Sequence, residues 1–221
     1  MRLLAATLLV SLLTFNILGT PAFNDCSCKA PDGSCSAGVS CPGGCIADCP
    51  NGGGCYAICK KGTSGGDDEA IGPILMMSVN LELRGGTNRQ LTSEIARITG
   101  REFVFVPDNP NDPVNLDVKD LPLWDVLEVL SRRGKVRIGG HDFATLQIVR
   151  KALVNGERTA VCINNVSVRG VVEEFAGMSG LPIRVTSGDA EAVVTLSVKG
   201  VTLEELLAQV SSKTGVGITL Q

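Results

Sequence analysis

VNLDVKDLPLWDVLEVL, residues 114–130, alternates apolar and polar residues, turns at Leu121-Pro122, and then shifts to apolar residues at helical spacing. Eighty residues later VTLSVKGVTLEELLAQV, residues 194–210, repeats the phrase. Without gaps, residues 114–138 and 194–218 share Val114/Val194, Leu116/Leu196, Val118/Val198, Lys119/Lys199, Leu123/Leu203, Leu127/Leu207, Ser131/Ser211, Val136/Val216 and Ile138/Ile218. Nearly all are apolar positions at strand or helix period, as two copies of one core demand.

Working outward, Val79, Leu81 and Leu83 alternate with Asn80 and Glu82, predicting a first strand with one buried face. Thr87 is placed as an N-cap with Gln90 completing a capping box. Leu91, Ile95 and Ile98 then make a helical stripe that Gly100 ends. Glu102–Val106 and Val114–Val118 are the next strands, followed by a helix on Leu123, Val126, Leu127 and Leu130 and a strand at Val136–Ile138. The second copy puts Val161 and Ile163 in its first strand and Ser167 at the cap, with a stripe of Val171, Phe175 and Met178 ending at Gly180. It continues with strands Leu181–Val185 and Val193–Val198, a capping box from Thr202 to Glu205, and Val216–Leu220. The predicted fold class is α+β: two tandem β-α-β-β-α-β units, over 74–154 and 155–221. Between them a further strand is expected to end near Val154, with Asn155-Gly156 as a hairpin turn.

The chain begins with Arg2 and an apolar run from Leu3 to Leu18, followed by Thr20-Pro21-Ala22, the layout of a secretory signal over 1–22. The run is short for a membrane span, and no other stretch is suited to one, so the mature chain is expected to be exported without a span. A net charge of −3 argues against a nucleic-acid partner.

Eight of nine cysteines, Cys26, Cys28, Cys35, Cys41, Cys45, Cys49, Cys55 and Cys59, lie in segment 23–59. It is glycine-rich and has few large apolar residues, so an irregular, disulfide-stapled segment is expected, its pairing open. Thiolate metal binding is the alternative, although no C-x2-C pair occurs. Residues 60–73 read as a flexible linker that tethers this segment without packing it. Cys162, in the place of Glu82, is expected to be a half-exposed free thiol; pairing with the segment or with another chain is the alternative.

The units resemble the short N-terminal domain (STN, or secretin N0) shared by secretins and TonB-dependent signalling receptors. LTSEIARITGREFVF (91–105) with 114–134, and VVEEFAGMSGLPIRV (171–185) with 194–215, carry the resemblance. It implies a docking module facing the periplasm or outer surface of a bacterium, whose partner is another cell-envelope protein of a secretion or signalling system.

Contact residues are sought where the copies differ. Arg132, Arg133, Lys135 and Arg137 cluster where the second copy is mostly uncharged. They either suit a helix C-terminus or face an acidic docking surface. Trp124 aligns with Glu204, a position expected to face solvent, and is either an interface anchor or a cover over residues 107–113. His141, the only histidine, reads as a turn residue. No catalytic residue, metal ligand or cofactor is assigned, and a non-enzymatic protein is expected. A thiol-dependent metal or redox protein and a surface structural protein are the other function classes.

Overall fold

The computed structural model describes residues 24–41, 43–60 and 70–221; the expected signal at 1–22 lies outside them. The chain is mixed α+β. Strands Asn24–Lys29 (β1), Ser36–Cys41 (β2), Gly44–Pro50 (β3) and Tyr56–Lys60 (β4) come first, then a short helix, Ile71–Leu75 (α1). Next are Ser78–Gly86 (β5), Asn88–Thr99 (α2), Phe103–Pro107 (β6), Val114–Pro122 (β7), Leu123–Ser131 (α3) and Gly134–Ile138 (β8). His141–Asp142 (β9) and Phe143–Val154 (α4) lead into Thr159–Ser167 (β10), Val168–Ser179 (α5) and Ile183–Ser187 (β11). Val193–Val201 (β12), Leu203–Thr214 (α6) and Gly217–Leu220 (β13) complete the order.

The phrase that recurs in sequence recurs in hydrogen bonding. Leu81↔Val118 and Leu83↔Leu116 pair β5 with β7, and eighty residues later Val161↔Val198 and Ile163↔Leu196 pair β10 with β12. Thr87 closes a capping box with Gln90 on α2, Ser167 caps α5, and both helices end on left-handed glycines, Gly100 and Gly180. The last strands differ: Phe103 faces Ile138 in β6–β8, whereas Ile183 faces Leu220 in β11–β13, a slip of two residues.

Expectations for the cysteine-rich segment and its linker are overturned. The cysteine-rich segment is not irregular: it forms two antiparallel ribbons, β1–β2 and β3–β4. Nor is it a tethered appendage, because β3 pairs with β10 from Pro50↔Thr159 to Cys45↔Asn164 and gives a four-stranded sheet ordered β12-β10-β3-β4. The linker reading fails at both ends of 60–73, where Lys60 is a buried strand residue and Ile71–Leu75 a packed helix; 61–69 lie outside the described residues.

Strand parity explains the docking. On β3, Cys45, Ala47 and Cys49 face one way and Ile46 and Asp48 the other. Ile46, Tyr56 and Ile58 join the core shared with Phe143, Phe175 and Ile163. Small and sulfur-bearing residues on the opposite face meet the β1–β2 ribbon. The large apolar residues of the β3–β4 ribbon therefore point to one face, which the second half of the chain covers.

The strand expected before Val154 is instead helix α4. Phe143, Leu146, Val149 and Leu153 are buried on one side of it, and Asp142 caps its start by accepting from the Ala144 amide at 2.9 Å. Asn155 has φ −78°, so it forms no type I′ turn; it is the C-cap, and Gly156 (φ 65°) turns the chain.

Helix α1 is fixed by a close backbone crossing with α5. A Cβ on Gly177 would collide with the Gly72 carbonyl group, and a Cβ on Gly72 would meet the Glu174 backbone. In an open helix Gly→Ala stabilises by about 1 kcal/mol. Here the overlap reverses the sign, and Gly177→Ala is expected to destabilise by about 1–3 kcal/mol. Thermal denaturation followed by circular dichroism should show a melting temperature lower by roughly 3–10 °C; an increase would rule out this crossing.

Candidate functional site

The basic cluster is divided by the fold. Arg132 is the C-cap of α3 and pairs with Glu128 at 3.1 Å, and Arg133 donates to the Pro113 carbonyl at 3.4 Å, so both are engaged at the helix end. Lys135 and Arg137 lie on the outward face of β8. They stand directly opposite Val106 and Val104 of β6, and Val106 is 56% exposed. Together these four side chains form an apolar and basic row on an open sheet face. Arg137 also reaches the Gly140 carbonyl at 3.2 Å.

Trp124 does not face solvent. It is 5% exposed, its ring lies 4.8 Å from that of Phe143, and the Arg150 guanidinium sits 4.2 Å above it. Burial against α4 removes it as an interface anchor. Arg150, which sequence reasoning did not single out, covers the indole as a cation–π partner. Its signal was the helical spacing of residues 143–153, masked by the strong turn dipeptide that follows.

The eight clustered cysteines form four disulfides: Cys26–Cys45, Cys28–Cys49, Cys35–Cys55 and Cys41–Cys59. Each joins the β1–β2 ribbon to β3, β4 or the loop between them, across 18 to 21 residues of sequence. In the chain-entropy account a loop of this size is worth about 3 kcal/mol. The sulfurs of Cys35, Cys49 and Cys55 lie within 4.8 Å of one another, but two disulfides already hold them. Cys162 is a free thiol, half-buried against the disulfide layer and opposite Ala47. Four disulfides suit an oxidising compartment and are consistent with export. No described helix is long and apolar enough to cross a membrane.

Behind these surfaces lies a buried polar junction. Lys60, the last residue of β4, donates to Glu174 Oε2 at 2.9 Å, and the Gly72 amide donates to the same oxygen at 3.2 Å. Glu174 is wholly buried and Lys60 nearly so, so this pair ties β4, α1 and α5 together away from water. Tyr56 stands opposite Asp48 across β3–β4. Among the described residues neither its hydroxyl nor either Asp48 oxygen has a hydrogen-bond partner. Burial pushes the Asp48 carboxyl up to about 7, against the pull of the Thr159 hydroxyl and the Cys49 amide, which come near without closing a bond. Burial, then the negative charges of Glu174 and Asp48, push the Tyr56 hydroxyl well above its ordinary value.

His141 meets Tyr56 edge-on, with ring centroids 6.4 Å apart. Burial lowers its pKa, opposed by the charge of Glu174. It borders a cleft of about 670 Å³ between β2, β4, α1 and the turns at 100–102 and 139–141. The Tyr56 hydroxyl is thus held protonated without an acceptor, and Asp48 titrates inside a sheet; the junction couples folding to pH.

No family model, no curated protein and no solved structure matches this chain.

Two outcomes follow from the junction. Removing one partner of a buried ion pair strands the other charge, so Glu174→Gln is expected to destabilise by about 3–5 kcal/mol, while Lys60→Met with Glu174→Leu recovers most of the loss. Denaturant unfolding of the two single variants and the double variant measures this, and losses that simply add would exclude the coupling. Asp48 titrates near 3.8 when unfolded and near 7 when folded. The folded state therefore holds its proton more tightly, and stability falls as pH rises from about 4 to 7, by on the order of 4 kcal/mol. Above pH 7 the full penalty is present. Asp48→Asn removes it, so the variant should melt higher than the wild type at pH 8 and close to it at pH 4; an equal gap at both pH values would contradict the assignment.

Proposed function

We propose that this protein is an exported, disulfide-locked docking module that binds another cell-envelope protein through the Val104, Val106, Lys135 and Arg137 row. The observation that carries the reading is that row: two apolar and two cationic side chains on one outward sheet face. An acidic, partly apolar partner surface would neutralise and desolvate it. Its counterpart eighty residues later carries Arg184, Thr186, Gly215 and Gly217, so core packing does not require the row.

The same reading takes the chain as two tandem STN-like units and places it in the periplasm or at the outer surface of a bacterium. The repeated β5–β7 and β10–β12 registers support the first point. Left-handed backbone also recurs at matching places, Gly85 with Asn165 and Asp120 with Gly200. All eight clustered sulfurs are engaged in disulfides, which favours a structural role for that segment over thiolate chemistry.

The test is affinity capture from envelope extract of the source organism, with the full exported chain as bait and mass spectrometry as readout. Lys135→Glu with Arg137→Glu should abolish capture of the wild-type partner and leave the melting temperature unchanged, because both side chains are exposed. Capture should also weaken as salt rises. Undiminished capture by the double variant would remove this face from the interface.

A further inference from the structure

The molecule contains its own example of strand addition. Strand β3 lies antiparallel against the outer edge of β10, with Cys45, Ile46, Ala47, Asp48 and Cys49 opposite Asn164, Ile163, Cys162, Val161 and Ala160. The strand in the same place eighty residues earlier is β5, which pairs with β7 in the register that β10 uses for β12. Among the described residues no strand occupies the other edge of β5.

That edge also lacks the proline, lysine and covering side chains that guard other edges of the molecule. Natural edge strands are blunted by shortness, by proline or lysine, or by side chains that cover the backbone. Here β6 has five residues, ends in Pro107, and its Phe105 carbonyl already accepts from Asn88 Nδ2 at 2.9 Å. On β12 the Thr195 carbonyl accepts from Lys213 Nζ, and β4 ends in the buried Lys60. In contrast β5 runs for nine residues, SVNLELRGG, with neither proline nor lysine, and its bulge between Leu83 and Gly86 matches the one that β10 carries between Ile163 and Val166 while paired with β3.

We propose that the outer edge of β5 is a docking site for an extended segment of a partner protein, entering antiparallel in the position that β3 holds on β10. Backbone pairing supplies the attachment and alternate side chains the selectivity. Transferring the β3 register puts two incoming residues opposite Leu83 and Leu81, where apolar side chains extend the core face; Leu83 is only half-buried without them. The outward neighbours are charged. Glu82 stands across from Asp117, with Arg84 2.8 Å from Glu82 and Lys119 4.0 Å from Asp117, all solvent-exposed. A cation opposite Glu82 separates it from a purely acidic row, and an acid opposite Arg84 completes the pattern. The fitting segment therefore reads, from its N-terminus, acidic, apolar, basic, apolar.

This inference rests on the docking reading for its biological meaning, but its test does not use the native partner. The probes are two blocked synthetic peptides, Ser-Glu-Ile-Lys-Val-Ser and its charge-swapped form Ser-Lys-Ile-Glu-Val-Ser, titrated to about 5 mM, a range suited to weak strand addition. Amide chemical shifts and hydrogen exchange are followed on the full exported chain. Shifts and slowed exchange should centre on residues 78–86, with the first peptide binding about threefold or more tightly than the second. The exposed pair Glu82→Lys with Arg84→Glu should reverse that order. Absence of change at 78–86 would overturn the proposal, as would an order that survives the charge reversal. Protection of these amides in peptide-free protein that fades on dilution would assign the edge to a second copy and overturn it equally. Failure here with capture through Lys135 and Arg137 intact would remove β5 alone.

Discussion

The pairing of β3 with β10 is the contact on which the rest of the molecule depends. It joins the β3–β4 ribbon of the cysteine-rich segment to β10 and β12, more than a hundred residues away, in one sheet. Such a non-local ladder carries a large ordering entropy. Four disulfides offset part of that cost by clamping the β3–β4 ribbon to β1–β2, which leaves Ile46, Tyr56 and Ile58 on its other face. Docking then buries those residues against α4 and α5 without fixing each backbone angle anew.

The polar junction is the expense of that arrangement. The side chains of Asp48 and Tyr56 lie in the buried face of the inserted ribbon without hydrogen-bond partners among the described residues. Unpaired groups of this kind destabilise by about 1–3 kcal/mol each. The covalent clamp offsets such terms, since in the chain-entropy account each disulfide contributes about 3 kcal/mol. The Lys60–Glu174 pair has a different role. Its ends lie on the inserted ribbon and on α5, and the same carboxylate oxygen receives the α1 amide, so one buried charge registers three elements that sequence separates widely.

The repeated core was legible because its signals are local and periodic. The caps at Thr87, Ser167 and Thr202 and the stops at Gly100 and Gly180 stand where turn chemistry puts them. The insertion of β3 was not legible as a pairing, since nothing local in GCIADCP names β10 as its neighbour. Its alternation was nevertheless present, with cysteine and alanine on one parity and isoleucine and aspartate on the other. Helix α4 was misread because Asn155-Gly156 is a strong hairpin signal and FATLQIVRKALV a weakly amphipathic one. Trp124 followed from that error: with no helix expected at 143–154, residues 107–113 were the packing partner weighed for it, and α4 was not. Among the basic residues the sequence cluster was real, but only backbone phase separates Lys135 and Arg137, on the open sheet face, from Arg132 and Arg133 at the helix end.

The two copies of the phrase have diverged where packing releases them. Core positions and left-handed turns recur because a change there would open a cavity or strain the backbone. Strand edges are free of both constraints, and there the copies part: β10 is covered by β3, whereas among the described residues no strand covers the outer edge of β5. The outward side chains part as well, since Cys162 lies under a disulfide layer where Glu82 meets solvent. One copy has thus become a structural seat for the cysteine-rich ribbon, its edge consumed in holding the molecule together. In the other, among the described residues, no strand covers the outer edge of β5, and Val104, Val106, Lys135 and Arg137 share one outward sheet face.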